Sequence, residues 1–236
     1  QGYTGERRCD KPGFTVEEDA PLVVRGGLSY ASRGGQKLEK AMEVFPIALA
    51  GKTAADIGAS TGGFTDCMLQ NGAKRVYAVD VGYGQLAWSI RNDPRVVCLE
   101  RTNARYLTRE QIPEPLDFAS IDVSFISLGL ILPALRPLMG RDGQVAALVK
   151  PQFEAGKEKV GKKGVVRDPA VHLEVLERFL DHAAQADFSV KGLDFSPVRG
   201  PEGNIEYLGF LQAGAGERAA LDLRELVERS HQALKG

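Results

Sequence analysis

Ten residues, Asp56-Ile-Gly-Ala-Ser-Thr-Gly-Gly-Phe-Thr65, set a carboxylate, three glycines and three hydroxyls at a spacing suited to gripping a small ligand. They follow a β-compatible run, Lys52-Thr-Ala-Ala-Asp56, and lead into a helical pattern from Phe64 to Leu69. A strand, a glycine turn and a helix in that order bring backbone N–H groups and a helix N-terminus to one point. A second acid, Asp80, closes the next strand-like run, Arg75-Val-Tyr-Ala-Val-Asp80. A carboxylate there can accept hydrogen bonds from both hydroxyls of a ribose. The pair points to a nucleoside-containing cofactor.

The loop narrows which one. A dinucleotide fingerprint needs Gly-x-Gly-x-x-Gly, and Ser60 stands where its second glycine belongs. A Walker loop ends in Gly-Lys-Ser/Thr, whereas this loop ends in Gly63-Phe64-Thr65. An acid two residues before the first glycine, with Ser60, Gly62, Gly63 and Phe64 after it, is the pattern of S-adenosylmethionine methyltransferases. The bland reading is a plain turn that uses glycine for its backbone freedom.

Four further polar residues break local rules. Lys37 lies in the first turn of a helix, where a cation meets the positive end of the dipole. Taken alone it reads as a surface lysine at the border of an apolar face, with Lys40 pointing to solvent. Asp122 and Lys150 end two strand-like runs, Leu116 to Ile121 and Gln144 to Val149. Ligands of open α/β sheets bind outside such strand ends. Glu206 heads an alternating run, Ile205-Glu-Tyr-Leu-Gly-Phe210, on the face of Leu208 and Phe210. A carboxylate there costs free energy unless a cation pairs with it.

The elements that must position these residues alternate. Strands are expected at 52–57, 75–80, 96–99, 116–121 and 143–149. Helices are expected at 63–71, 85–92, 127–139 and 168–186. That order predicts a parallel sheet covered on both faces. Residues 188–195 and 205–212 are strands joined without a helix, so they should pair antiparallel. A helix over 217–234 follows. Another is expected over 34–45, from Leu38, Ala41, Met42 and Phe45, with Ser32 as its cap. The fold class is therefore α/β, a Rossmann-like seven-stranded methyltransferase sheet with a C-terminal antiparallel hairpin.

The 236 residues suffice for one such domain and a small appendage. Net charge is −1, so any nucleic-acid surface must be a local patch. Three cysteines, Cys9, Cys67 and Cys98, form no Cys-x-x-Cys pair, which fits a reduced, cytoplasmic protein and gives no support for a metal site. The apolar run Leu128 to Leu135 is too short to span a bilayer, so no membrane partner is expected. Besides Lys150, the 150–164 loop carries Lys157, Lys159, Lys162 and Lys163. These suit phosphate contacts, unless the loop is a solvated one balanced by Glu154 and Glu158.

Five segments together resemble one family. They are Ser32-Arg-Gly-Gly-Gln-Lys-Leu38, Asp56 to Phe64, Ile121-Asp-Val-Ser-Phe-Ile-Ser127, Leu148-Val-Lys-Pro-Gln-Phe-Glu154 and Asn204-Ile-Glu-Tyr207. The chain is similar over 30–212 to the TlyA family, ribosomal RNA 2′-O-methyltransferases with an FtsJ-type catalytic domain, some of them called haemolysins. The resemblance implies S-adenosylmethionine as cofactor, ribosomal RNA or ribosomal subunits as partner, and no DNA. It places the Lys-Asp-Lys-Glu tetrad of FtsJ-type enzymes on Lys37, Asp122, Lys150 and Glu206. It also implies two domains. Residues 1–28 look like the end of an S4-type RNA-binding domain whose helices are missing, as in a truncated or processed form, and 29–236 would be the methyltransferase.

Roles follow from that resemblance. Gly58 to Phe64 would meet the methionine part of the cofactor, Asp80 its ribose, Asn103 its adenine, and Phe125 would line the methyl channel. Lys150 is the candidate base, or a group that positions the hydroxyl. A lysine base works in its neutral form, against a reference pKa of about 10.4. A neighbouring cation and burial favour that form, and carboxylates oppose it.

Other readings meet obstacles in the residues. A base-nitrogen methyltransferase would show Asn/Asp-Pro-Pro-aromatic where Asp122-Val-Ser-Phe125 stands. A pyrimidine C5 enzyme would need a cysteine nucleophile there. A nicotinamide oxidoreductase lacks its second glycine. The non-enzymatic alternative is an RNA-binding or haemolysin-like protein that keeps the fold without catalysis.

Overall fold

The computed structural model of the protein describes residues 34–235. The expected cap Ser32 and the S4-like segment 1–28 lie outside these residues. Seven strands form one sheet: β1 Thr53–Ile57, β2 Arg75–Val79, β3 Val96–Leu99, β4 Leu116–Ile121, β5 Met139–Val149, β6 Phe188–Phe195 and β7 Tyr207–Ala213. Their order is β3-β2-β1-β4-β5-β7-β6. The first five run parallel, and β7 pairs antiparallel with both β5 and β6. The order reverses between β1 and β4, so the crevice expected of an open α/β sheet lies outside their carboxyl ends.

Helices cover both faces. They are α1 Gly34–Val44, α2 Gly63–Gln70, α3 Trp88–Arg91, α4 Leu128–Leu135, α5 Pro151–Glu154, α6 Pro169–Gln185 and α7 Leu223–Ala233. β1 is buried along its whole length because the sheet continues on both sides of it and helices close both faces. One core cluster sits under α4, α6 and α7 and includes Ile57, Ile121, Leu132 and Phe179. A second lies under α1 and α2 and includes Leu38, Met68, Leu148 and Phe210. α1 thus lies against the face that carries Leu208 and Phe210 of β7.

Some boundaries depart from the sequence reading. The helix expected at 85–92 shrinks to one turn, α3, because its apolar contribution is Leu86 and Ile90 alone while Trp88 stays exposed. α4 gives way to a 3-10 turn at Arg136–Leu138, in keeping with Pro133 within it and Pro137 after it. The last helix starts at Leu223, where the Asp222 side chain caps Glu225 N. β5 begins four residues early, at Met139, and its pairing with β4 shifts between Leu116 and Phe118.

Candidate active site

Asp56 is the buried anchor of the glycine loop. It is next to last in β1, opposite Ser120 of β4. Its Oδ2 accepts from Thr65 N at 3.0 Å and Thr65 Oγ1 at 2.7 Å, in the first turn of α2. Ser120 Oγ lies 3.4 Å from its Oδ1. Burial pushes this carboxyl up to about 7, the Thr65 bonds work against the rise, and the nearby charge of Asp122 adds to it. Asp56 therefore shapes the loop by tying strand end to helix start. Gly58 has φ +90°, and a Cβ there would stand 2.0 Å from the Asp122 carbonyl oxygen. Only glycine lets the loop pass this close to the end of β4.

Beside the loop opens a cavity of about 570 Å3, walled by Gly58, Ser60, Gly63 and Phe64 on one side and by Lys37, Asp122 and Lys150 on another. Both lysines are buried, Lys37 at 8% exposure and Lys150 at 7%. Lys150 Nζ meets Asp122 Oδ1 at 2.5 Å. Lys37 Nζ donates to Glu206 Oε1 at 3.0 Å. Glu206 is fully buried, immediately before β7, and is reached by Lys37 from α1. The four polar residues singled out by sequence thus form two ion pairs beside one cavity. Lys37 is not the surface lysine that its helical position alone suggests. Lys40 is not solvated either: its Nζ donates to the Phe195 carbonyl at 2.6 Å.

Other expected residues stand further off. Asp80 is not on the cavity wall. Its two oxygens accept from Ser60 N at 3.1 Å and Gly82 N at 2.9 Å, so it braces the glycine loop from the next strand end. Asn103 is exposed and caps a 3-10 turn through Arg105 N at 3.0 Å. Gly62, at φ +101°, faces Leu86 and Ile90 and closes the packing under the loop. Phe125 does not line the cavity: it is 88% exposed, at φ +64°, with its ring 4.8 Å from that of Phe153. Lys157, Lys159, Lys162 and Lys163 are exposed on two 3-10 turns, Lys157–Lys159 and Lys162–Gly164. Lys159 pairs with Glu174 at 2.7 Å.

The sequence pattern does not mark the remaining lining, Val198-Arg199-Gly200-Pro201. Arg199 donates to the Gly203 carbonyl at 2.7 Å and to the Leu234 carbonyl at the end of α7. Gly200 leaves room for Glu206: a Cβ there would lie 2.1 Å from Oε2. The Pro/Gly character of this connection was the available signal. Gln152 was also missed, although it lies inside a quoted motif; it donates Nε2 to Glu206 Oε2 at 3.0 Å.

A glycine loop, a cavity and two lysine–carboxylate pairs can bind a nucleoside cofactor and handle one proton. The FtsJ-like methyltransferase pattern matches residues 30–213, which include this whole constellation. The chain belongs to the FtsJ-like methyltransferase family. It is 54% identical over 240 residues to a Bacillus subtilis protein described as a candidate rRNA methyltransferase, YqxC, with 99% of this chain and 85% of that one covered. It is 46% identical over 226 residues to the Mycobacterium tuberculosis (strain ATCC 25618 / H37Rv) 16S/23S rRNA (cytidine-2′-O)-methyltransferase TlyA, covering 95% and 84%. A solved structure from Streptococcus thermophilus, described as a candidate hemolysin, superposes with a TM-score of 0.85 at 51% identity, covering 90% of this chain and 78% of that one. The protein is thus an enzyme, a methyltransferase of the TlyA kind, and S-adenosylmethionine is the cofactor that goes with this family and sheet. Among the described residues no helix is long and apolar enough to cross a membrane, and no cluster of three metal-ligating side chains occurs.

Proposed function

We propose that the enzyme methylates a ribose 2′-hydroxyl of ribosomal RNA, using Lys37, Asp122, Lys150 and Glu206 as its working groups. The observation that carries this reading is the pair of buried lysine–carboxylate contacts beside the glycine-loop cavity. The Gly58 cradle, which a Cβ would fill, fits close passage of a cofactor backbone. Gly58 to Phe64 would hold the methionine part, with Asp56 fixing the loop from behind. Asp80 and Asn103, at the neighbouring strand ends, would meet ribose and adenine. When bound, S-adenosylmethionine supplies a methyl group activated by its sulfonium.

The protein's own work is alignment and proton handling. The tetrad would hold the ribose oxygen in line with the methyl group that S-adenosylmethionine would supply. Lys150, in its neutral form, takes the hydroxyl proton. Asp122 orients Lys150, and Lys37, anchored by Glu206, steadies the ribose. The exposed Lys157, Lys162 and Lys163, together with the S4-like residues 1–28, contact phosphates and bring the nucleotide to the cavity. The name of the Mycobacterium tuberculosis relative, an rRNA cytidine-2′-O-methyltransferase, supports the same substrate.

Mass-spectrometric mapping of ribose methylation in rRNA, from cells with and without the gene, tests the reading. Deletion should remove at least one 2′-O-methyl group. An identical ribose-methylation map in both strains would overturn it. Calorimetry adds a check on the cofactor: binding of S-adenosylmethionine should be micromolar or weaker, roughly −8 kcal/mol or less favourable, and Asp80→Ala should weaken it.

A further inference from the structure

Residues 150–154 leave the end of β5, and three of their side chains reach the β4–α4 connection or the start of α4 while one reaches the residue ahead of β7. Lys150 meets Asp122 beyond β4. Phe153 packs on Phe125. Glu154 accepts from Ser127 Oγ at 2.7 Å and Leu128 N at 2.9 Å, at the start of α4. Gln152 donates to Glu206 Oε2 at 3.0 Å, ahead of β7. The reaction scheme has no task for this last contact.

We propose that Gln152 is a positioning residue. It holds the second oxygen of Glu206 and thereby fixes Lys37 relative to Lys150. Glu206 is fully buried, and Lys37 occupies only its Oε1. A buried carboxylate oxygen left without a donor is costly, so Oε2 needs one. Within the tetrad each lysine is already paired with one acid. A neutral amide supplies the donor without upsetting that pairing, which a third cation would do. The direction of the amide follows from the same contact, since reversing it would set Oε1 against a carboxylate oxygen. Gln152 Oε1 is itself buried and accepts no hydrogen bond from a described residue, so the orientation rests on Glu206. Because Gln152 follows Lys150 by two residues, one short turn sets the seat of both ion pairs. Gln152 does not touch the reacting atoms; it acts through Glu206 and Lys37.

The inference rests on the ribose-methylation reading, and the test separates the two. The full protein is assayed on ribosomal subunits from cells lacking the gene, with wild type in parallel. If wild type adds no methyl to ribose, the functional reading fails first. If it does, Gln152→Met, which cannot donate, should lower kcat by about tenfold or more, with S-adenosylmethionine affinity unchanged. Gln152→Glu supplies the readout that a merely structural role would not move. Two carboxyl groups about 3 Å apart share one proton, and the shared proton restores the missing donor. The ratio of variant to wild-type kcat should therefore climb as pH is lowered from about 8 to about 6. A flat ratio across that range, or wild-type kcat in Gln152→Met, would overturn the role of Gln152.

Discussion

Two buried polar clusters in this molecule look alike in composition and differ in design. One is the tetrad beside the cavity. The other lies between α6, β7 and α7, where His172, Tyr207, Ser230 and His231 join. There Tyr207 Oη lies 3.0 Å from His172 Nδ1 and 2.8 Å from Ser230 Oγ, and His231 Nε2 lies 2.9 Å from His172 Nδ1. His172 Nε2 donates to the Val166 carbonyl at 2.9 Å. Burial disfavours a charge on His172 and His231, and His172, Tyr207 and Ser230 are fully buried. The tetrad sets two lysine–carboxylate pairs beside a cavity. Burying hydrogen-bonded neutral groups holds elements together; setting ionisable pairs beside open space prepares them for a substrate. The two clusters meet in the chain at neighbouring residues, Glu206 and Tyr207, so chemistry and cohesion share one strand start.

The comparison can be broken from either side. The largest effect should come from Lys150→Ala, which removes the proposed proton acceptor. Turnover on ribosomal subunits should drop by roughly 10² to 10⁴, with cofactor affinity held. Near-normal methylation by this variant would remove Lys150 from the catalytic role. Next is Gly58→Ala. Backbone strain and the clash with the Asp122 carbonyl together should cost about 3 kcal/mol of stability. Loss of cofactor binding should accompany it in calorimetry, and an unaltered melting curve would mean that the loop relaxes freely.

The neutral cluster should answer to acid. Burial holds His172 down to about 4, from an ordinary value of 6.5, and the neighbouring His231 adds to the depression. Above pH 6.5 the ring is neutral in folded and unfolded chains and costs nothing. As pH falls from 6.5 toward 4, the unfolded chain takes up a proton that the folded one refuses, so stability is lost. The loss should reach about 3 kcal/mol by pH 4. His172→Gln should flatten that part of the urea-stability profile, and an unchanged slope would assign the acid loss elsewhere. The smallest effect is Tyr207→Phe, which removes one hydroxyl from the cluster. It should cost about 1 kcal/mol with kcat intact. A large fall in kcat there would mean that the two clusters are coupled rather than merely adjacent.

Much of this was legible in the sequence because it depends on local pattern. Strand runs ending in Asp80, Asp122 and Lys150 announce a parallel sheet and its ligand edge, and the hairpin of 188–195 with 205–212 follows from the missing helix. What escaped depends on distant partners. Gln152 reads as an ordinary loop amide until β7 brings Glu206 to it. Arg199 and Gly200 carry no periodic signal, and their part in the wall comes from the fold of the β6–β7 connection. Phe125 has the composition of a core residue, yet its left-handed backbone turns it outward. Helical angle alone points Lys40 to solvent, while the arriving β6 gives it a carbonyl and a ring to rest on.

Two of the glycines at the site stand where a side chain would collide with its neighbours. Gly58 makes room for the end of β4, and Gly200 for the carboxylate of Glu206. In a saturation scan that scores methylation, both should tolerate nothing, although neither contributes a proton, a charge or a bond to the reaction. A catalogue of functional residues drawn up from chemistry alone would omit them. In a site packed this tightly, empty volume is as much a requirement as the side chains around it.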